Sequence, residues 1–296
     1  MSVAITRALR HRCSLAILSV TLAAGLTLGT PRQAQALTII LDFATGSTTD
    51  IFGAGTTAAN FTPYGFGLSL AQIESASFAA VANDYLGYST VGANPLSPLP
   101  NGKQLNINFE LSTGLSAPVN GDTEYYYVAI GNHTGTNPGF LGQACLSCVR
   151  APVETGPNFG VTNHSIVGSI LVDNIATLAG LASTDTERIN LLAGTITHEI
   201  GHTLSLGHPG GPVANPGASI YDVMATGAAP TSMPNGERIK DRAFSYVDFG
   251  QLISAVGLRD APVAAVPEPE TYALLLAGLG LLGFAARRRK KIEAAA

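Results

Sequence analysis

The amino-acid sequence predicts a domain of mixed helix and strand content, in the α/β or α+β class. Three observations support this prediction. Residues 37–43 are a continuous apolar run, residues 104–111 alternate between apolar and polar side chains, and a long amphipathic pattern follows residue 184. Because strand and helix patterns interleave along the chain, we expect one sandwich of a sheet and helices, built from residues 37–262.

The first half of this domain contains one predicted helix between two predicted strands. The run at 37–43 is typical of a buried strand. Ser69 and Gln72 have the spacing of a capping box, which satisfies the first free N–H groups of a helix, so a helix is expected over residues 69–86. The apolar members of the alternating strand at 104–111 are Leu105, Ile107, Phe109 and Leu111.

The second half contains two further strands and two helices. Residues 124–130 and 166–172 predict strands, and residues 132–163 between them predict mostly loop. Thr184 and Glu187 form a second capping box at the start of a long helix. Its apolar residues recur at helical spacing and predict one buried face, made by Ile189, Leu192, Ile196, Ile200 and Leu204.

The N-terminal segment, residues 1–36, has the parts of a secretory signal peptide. Basic residues at Arg7, Arg10 and Arg12 precede an apolar run over residues 13–28, and Ala34-Gln35-Ala36 supplies the small residues of a cleavage site. The run is short for a membrane span of roughly 20 residues. We therefore expect cleavage by signal peptidase, with an uncleaved membrane anchor as the alternative.

The C-terminal segment, residues 263–296, has the order of a sorting signal. Pro267-Glu268-Pro269 precedes an apolar stretch over residues 272–286 and a basic end at residues 287–291. This arrangement resembles the PEP-CTERM sorting signal of Gram-negative bacteria. The resemblance implies transient membrane anchoring, processing by an exosortase, and delivery to the periplasm, the cell surface or an extracellular exopolysaccharide matrix. A plain tail anchor is the alternative.

The domain between the two termini is acidic. Residues 37–266 contain 17 acidic and 7 basic residues, a net charge of −10. Because this charge repels a phosphate backbone, no nucleic-acid partner is expected. The charge suits cation binding, and Ca²⁺ is compatible with it, although the chain has no EF-hand pattern.

Cys145 and Cys148 remain after Cys13 is removed with the signal peptide. In an oxidising compartment this pair can form a small disulfide loop, and free thiols are the alternative. A single C-x-x-C without a second pair is weak support for a zinc site.

The strongest chemical signal is the segment His198-Glu199-Ile200-Gly201-His202 on the long predicted helix. Residues four apart on a helix point about 40° from each other, so His198 and His202 share one face. Ile196 and Ile200 lie on the opposite face, so both imidazoles can point into a cleft while the apolar side is buried. H-E-x-x-H on such a helix is a zinc-binding pattern of metallopeptidases.

A catalytic zinc has three protein ligands, and His208 is the candidate for the third. On a continuous helix His208 would lie about 240° round from His202 and would face away. The helix must therefore end near Ser205, and the chain must bend back. Gly207 and the following Pro209-Gly210-Gly211-Pro212 fit such a stop.

These residues predict the chemistry of a zinc hydrolase. Neutral imidazoles of His198, His202 and His208 would hold one Zn²⁺ together with a water, whose pKa falls to about 7. Glu199 would take the proton of this water as general base and pass it to the leaving amine. A structural zinc would require a fourth protein ligand, and no obvious fourth appears in the sequence.

Residues 195–224 resemble the metzincin clan of zinc peptidases, and its matrixin-like branch in particular. The pattern is H-E-x-x-H-x-x-x-x-x-H, followed after sixteen residues by Met224. The resemblance implies a mixed sheet, an active-site helix, a closing C-terminal helix over residues 242–258, and a Met-turn. In that turn Met224 would underlie the three histidines without binding the metal.

Ser205 departs from the metzincin pattern, which has Gly at this position. That Gly adopts a positive φ, and a residue with a side chain costs roughly 1–2 kcal/mol in the same conformation. We therefore expect Gly207, two residues later, to take over the turn toward His208.

Together these patterns predict an exported zinc endopeptidase that acts on a peptide or protein substrate. One alternative is a non-catalytic surface or exopolysaccharide-matrix protein on a decayed metzincin fold, which the low charge, the sorting tail and Ser205 motivate. A hydrolase of another substrate class with the same site is a third hypothesis. Zinc-dependent proteolysis by the purified protein would distinguish the first from the second.

Overall fold

The computed structural model describes residues 36–87, 99, 102–112, 114–135, 139–149, 164–209, 222–227 and 233–261. The described strands are β1 (Leu37–Phe43), β2 (Thr48–Thr49), β3 (Gly55–Thr57), β4 (Lys103–Leu105), β5 (Ile107–Ser112), β6 (Tyr125–His133), β7 (Gly142–Ala144), β8 (Ile166–Leu171) and β9 (Leu258–Asp260). The described helices are α1 (Leu70–Leu86), α2 (Val172–Ala176), α3 (Asp185–Thr203) and α4 (Tyr246–Val256). The expected mixed α/β class is confirmed. The expected signal peptide and sorting segment lie outside the described residues.

One mixed sheet carries the strands that position the site. Its strands lie in the order β5-β1-β6-β8-β7, of which the first four are parallel and β7 runs antiparallel to β8. The β2–β3 hairpin adds to the end of β6. All seven residues of β1 are buried, because this strand lies between two neighbours and is covered on both faces.

The single strand expected over residues 104–111 is wrong, because the chain changes sheets at Asn106. β4 pairs with β9, whereas β5 pairs with β1. The amide of Asn106 donates to the carbonyl of Gly257 at 3.0 Å, and its carbonyl accepts from the amide of Leu37 at 3.4 Å. The alternation of apolar and polar residues continues across this change of partner, so the sequence pattern alone predicts a single strand.

The loop expected over residues 132–163 contains the short strand β7. Its sequence, Gly-Gln-Ala, has no apolar alternation, and its extended form follows from pairing with β8. The expected helix over residues 242–258 is shorter, since α4 begins after Ser245. The Ser245 hydroxyl accepts from the amide of Asp248 at 3.2 Å and thereby fixes the start of α4.

Helix α3 forms as the sequence predicts and packs against α1, β7 and β8. Its capping box is present, with the amide of Glu187 donating to Thr184 Oγ1 at 3.2 Å and the amide of Thr184 donating to Glu187 Oε2 at 2.9 Å. The expected apolar face is buried in the core shared with the sheet, including Ile189, Leu192, Ile196, Ile200 and Leu204.

Two buried hydrogen bonds join α1 to α3. Tyr85 Oη donates to the carbonyl of Thr197 at 2.9 Å, and Thr197 Oγ1 donates to Asp84 Oδ2 at 2.6 Å. Thr197 immediately precedes His198, so α1 fixes the part of α3 that carries the histidines. Of the helices in the described ranges, none combines the length and the hydropathy that a membrane span requires.

Candidate metal centre

The structure brings His198, His202 and His208 together at one point of the cleft. Their Nε2 atoms are 3.0 Å apart for His198 and His208, 3.0 Å for His202 and His208, and 3.1 Å for His198 and His202. Ligand nitrogens around a tetrahedral zinc lie about 3.3 Å apart. The triangle of nitrogens therefore has nearly the size that one zinc ion requires.

The other ring nitrogens determine the tautomers of two of these histidines. His198 Nδ1 lies 2.8 Å from the carbonyl oxygen of Val223, and His202 Nδ1 lies 2.8 Å from the carbonyl oxygen of Leu206. Because a carbonyl can only accept, each Nδ1 carries the proton and each Nε2 has a free lone pair. The lone pairs of His198 Nε2 and His202 Nε2 therefore face each other across 3.1 Å, an arrangement that a shared cation would stabilise.

Burial also keeps these rings neutral. It lowers the pKa of His198 well below the ordinary value and the pKa of His202 to about 4. It also lowers the pKa of His208. Only the neutral imidazole binds a metal. The three rings are thus in the ligating form near pH 7.

The turn that delivers His208 is made at Ser205, and the expectation that Gly207 makes it is wrong. Helix α3 ends at Thr203, and Ser205 has a φ of +79°. The amide of Leu206 donates to the carbonyl of Gly201 at 2.9 Å, which closes the helix end. Ser205 therefore adopts the left-handed conformation that the metzincin pattern assigns to Gly.

Glu199 is buried at the wall of the same cleft, beside β7. A Cβ atom on Gly142 would lie 2.8 Å from Glu199 Cγ, so the absence of a side chain at Gly142 makes room for this carboxyl group. Burial raises the pKa of Glu199 to about 8. A cation on the three histidines would act in the opposite direction and favour the carboxylate.

Met224 lies beneath α3 and is completely buried. A Cβ atom on Gly201 would lie 2.5 Å from Met224 Sδ, so the two residues are in direct contact. The preceding residue, Val223, supplies the carbonyl that orients His198. Met224 thus packs against the segment of α3 that carries His198 and His202.

Arg242 binds the segment Asp222–Val223 beside Met224, and the sequence analysis did not predict it as a site residue. Its Nη1 donates to the carbonyl oxygens of Asp222 and Val223 at 3.2 and 3.4 Å. The Val223 carbonyl therefore bonds to both Arg242 and His198. One sequence feature could have drawn attention to Arg242: it is one of only seven basic residues in the acidic domain at residues 37–266.

The Cys145–Cys148 disulfide is formed, and its loop covers the C-terminal end of α3. The amide of Ser147 donates to the carbonyl of His202 at 2.9 Å, and the amide of Val149 donates to the carbonyl of Thr203 at 3.2 Å. These bonds supply donors to carbonyls in the last turn of α3, where the helix has few amide donors left. The loop therefore holds the helix end from which His202 projects.

His133 and His164 lie away from this centre. His164 stacks on the ring of Tyr125, with 4.0 Å between ring centroids. Within the described ranges, the three cleft histidines are the only group of three or more His, Cys, Asp or Glu residues whose ligand atoms converge closely enough for one metal ion.

The chain is similar to known proteins in two respects. Its fold is similar to the crystal structure of archaemetzincin from Methanopyrus kandleri, with a TM-score of 0.35 and 13% sequence identity over 76% of this chain and 99% of that chain. No curated protein matches the chain. Residues 265–290 match the PEP-CTERM protein-sorting motif. This motif confirms the resemblance of the C-terminal segment, marks the chain for export and implies recognition by an exosortase.

Proposed function

We propose that this chain is an exported, zinc-dependent endopeptidase. The observation that carries the proposal is the convergence of three Nε2 atoms, 3.0 to 3.1 Å apart, beside the buried carboxyl group of Glu199. Three neutral imidazoles with an open position suit a catalytic zinc, because a structural zinc takes four protein ligands.

The proposed mechanism assigns His198, His202 and His208 to the metal. When bound there, Zn²⁺ supplies a Lewis acid for the scissile carbonyl and lowers the pKa of a coordinated water to about 7. Glu199 accepts a proton from the attacking water on its carboxylate and releases it to the nitrogen of the leaving amine. A cation on the three histidines would favour the carboxylate form of Glu199, which is the form that can accept this proton.

Strand β7 is the proposed substrate platform. One of its edges pairs with β8, and Gly139–Ala144 line the cleft in front of the histidines. No strand pairs with its other edge in the described part of the chain. An extended peptide can add to such an edge through main-chain hydrogen bonds, which would place a backbone carbonyl near the three histidines.

The proposal includes the processing of both termini. Residues 1–36 would be removed by signal peptidase, and residues 263–296 would direct sorting, leaving residues 37–262 as the peptidase domain outside the cytoplasm. The Cys145–Cys148 disulfide supports this location, because structural disulfides persist in oxidising compartments.

The non-catalytic alternative loses its main motivation. Besides the low charge and the sorting tail, it was motivated chiefly by doubt that Ser205 permits the turn to His208. Because Ser205 adopts the positive φ itself, the third imidazole reaches the other two. The structure adds no observation that favours a matrix-binding role over hydrolysis.

A single substitution tests the proposed mechanism. Glu199→Gln keeps the size of the side chain but removes its ability to accept a proton, so peptide cleavage should fall by at least about a hundredfold. Zinc content should stay at the wild-type value. Glu74→Gln on α1 is the matched control, because it removes a carboxylate outside the cleft and should leave cleavage unchanged. Wild-type cleavage by the Glu199→Gln chain would contradict the assigned role.

A further inference from the structure

The cleft extends past the histidines to two arginines. Arg238 and Arg242 line the same cavity of about 500 Å³ as Glu199. Two glycines in the cavity wall leave these arginines uncovered. A Cβ atom on Gly194 would lie 3.1 Å from Arg242 Nη2, and a Cβ atom on Gly227 would lie 2.9 Å from Arg238 Nη2. The two guanidinium groups therefore border the cavity next to Gly194 and Gly227, where no Cβ atom covers them.

Both guanidinium groups have hydrogen-bonding capacity left over. Arg242 is only 9% exposed, and the structure gives its buried Nε no acceptor. The Nε of Arg238 is also buried and without an acceptor. A buried charged donor that has no acceptor among the described residues costs free energy, so an acceptor supplied by a ligand in the cavity would stabilise these groups.

The described carboxyl groups around Arg242 are bonded to other groups. Asp84 accepts from Thr197 Oγ1, Asp222 accepts from the amides of Met224 and Ser245, and Glu237 pairs with Lys240 at 2.7 Å. The adjacent stretch 228–232, Ala-Ala-Pro-Thr-Ser, contains no acidic residue. Among the described residues, neither Arg238 nor Arg242 therefore has a carboxylate partner in a salt bridge at this end of the cavity.

Both arginines keep their charge at neutral pH. Burial lowers the pKa of Arg242 to about 10, and it also lowers the pKa of Arg238. In a domain with a net charge of −10, such a concentration of positive charge beside the candidate catalytic residues is a local exception.

We propose that this arginine pocket selects substrates with an acidic side chain, Asp or Glu, next to the cleaved peptide bond. A carboxylate entering past Gly194 and Gly227 would meet two guanidinium groups and form charge-assisted hydrogen bonds with them. The inference deepens the proposed peptidase function and rests on it. A free C-terminal carboxylate has the same chemistry, and the experiment distinguishes it from an acidic side chain.

The test uses the full chain and matched peptides that differ only beside the scissile bond. Glu is compared with Gln at each flanking position, in peptides with amidated C-termini, and one further Gln peptide has a free C-terminus. We expect kcat/KM for the better Glu peptide to exceed that for its Gln counterpart by about tenfold or more. In Arg238→Gln this ratio should fall toward one, whereas Arg238→Lys should retain part of it.

Arg188→Gln is the matched control, because Arg188 pairs with Asp185 at the far end of α3 and not with the cleft. Its Glu-to-Gln ratio should equal that of the wild type. Binding of the same peptides to the zinc-free chain, followed by fluorescence anisotropy, gives a second readout that needs no catalysis. There too the Glu peptide should bind about tenfold more tightly.

These readouts distinguish failure of the pocket from failure of the peptidase. A chain that cleaves nothing but binds the Glu peptide selectively supports the pocket and overturns the peptidase proposal. Equal cleavage of Glu and Gln peptides, a preference for the free C-terminus alone, or a ratio unchanged in Arg238→Gln would overturn the acidic-side-chain inference.

Discussion

At the scale of single residues, the site depends on a few backbone carbonyls and one strained turn. The carbonyls of Val223 and Leu206 orient His198 and His202, and the left-handed φ of Ser205 brings His208 to them. The spacing of the three histidines in the sequence predicted that their imidazoles would come together. The sequence analysis assigned the turn to Gly207, because glycine is the residue that usually tolerates positive φ. Local contacts at the end of α3 fix the turn at Ser205 instead.

Replacing Ser205 with glycine should stabilise the protein. The left-handed conformation costs a residue with a side chain roughly 1–2 kcal/mol, and the extra freedom of glycine in the unfolded chain cancels part of this gain. We expect Ser205→Gly to raise the free energy of unfolding by about 1 kcal/mol, measured by denaturant titration. Ser183→Gly, where φ is not positive, should give no gain. A less stable Ser205→Gly chain would show that the serine is not strained.

At the scale of elements, the long helices α1 and α3 were predictable, whereas the short helix α2 and the short strands were not. Capping boxes at Ser69 and Thr184 mark the starts of α1 and α3 in the sequence, because capping is a local interaction. The break at Asn106 and the extended form of Gly142–Ala144 depend on partners distant in the chain. No local pattern encodes those partners, so the β7 wall of the site could be found only in the structure.

The disulfide loop should stabilise the end of α3. Closing a loop of this length contributes about 2 kcal/mol in the chain-entropy model, and the loop also holds the carbonyls of His202 and Thr203. We expect the double variant Cys145→Ala, Cys148→Ala to unfold at a lower temperature and to release zinc faster to a chelator. Wild-type protein treated with a reductant is the matched control and should behave in the same way. Zinc release at the wild-type rate in both would contradict this role.

The contact between α1 and α3 should make stability depend on pH. Burial raises the pKa of Asp84 to about 8, from 3.8 in the unfolded chain. The folded protein therefore holds a proton that the unfolded chain releases, so this contribution is complete below about pH 4 and is lost as the pH rises through about 8. Asp84→Asn should give a flatter dependence of unfolding free energy on pH in this window. An identical slope in the variant would show that Asp84 ionises normally.

At the scale of the whole molecule, composition, disulfide and sorting motif agree. The PEP-CTERM motif at residues 265–290 marks the chain for export, and the Cys145–Cys148 disulfide suits an oxidising environment. The cleft of this acidic domain contains two arginines, Arg238 and Arg242, beside the three histidines and Glu199. The central claim for the whole molecule is that this cleft holds one zinc ion.

The most direct test of that claim is the zinc content of the full chain after dialysis, compared between wild type, His208→Ala and His164→Ala. The account predicts about one zinc per chain in the wild type, a strongly reduced content in His208→Ala because two imidazoles remain, and a wild-type content in His164→Ala because that ring stacks on Tyr125 outside the cleft. A wild-type chain without zinc, or a His208→Ala chain that retains it as tightly, would contradict the three-histidine site.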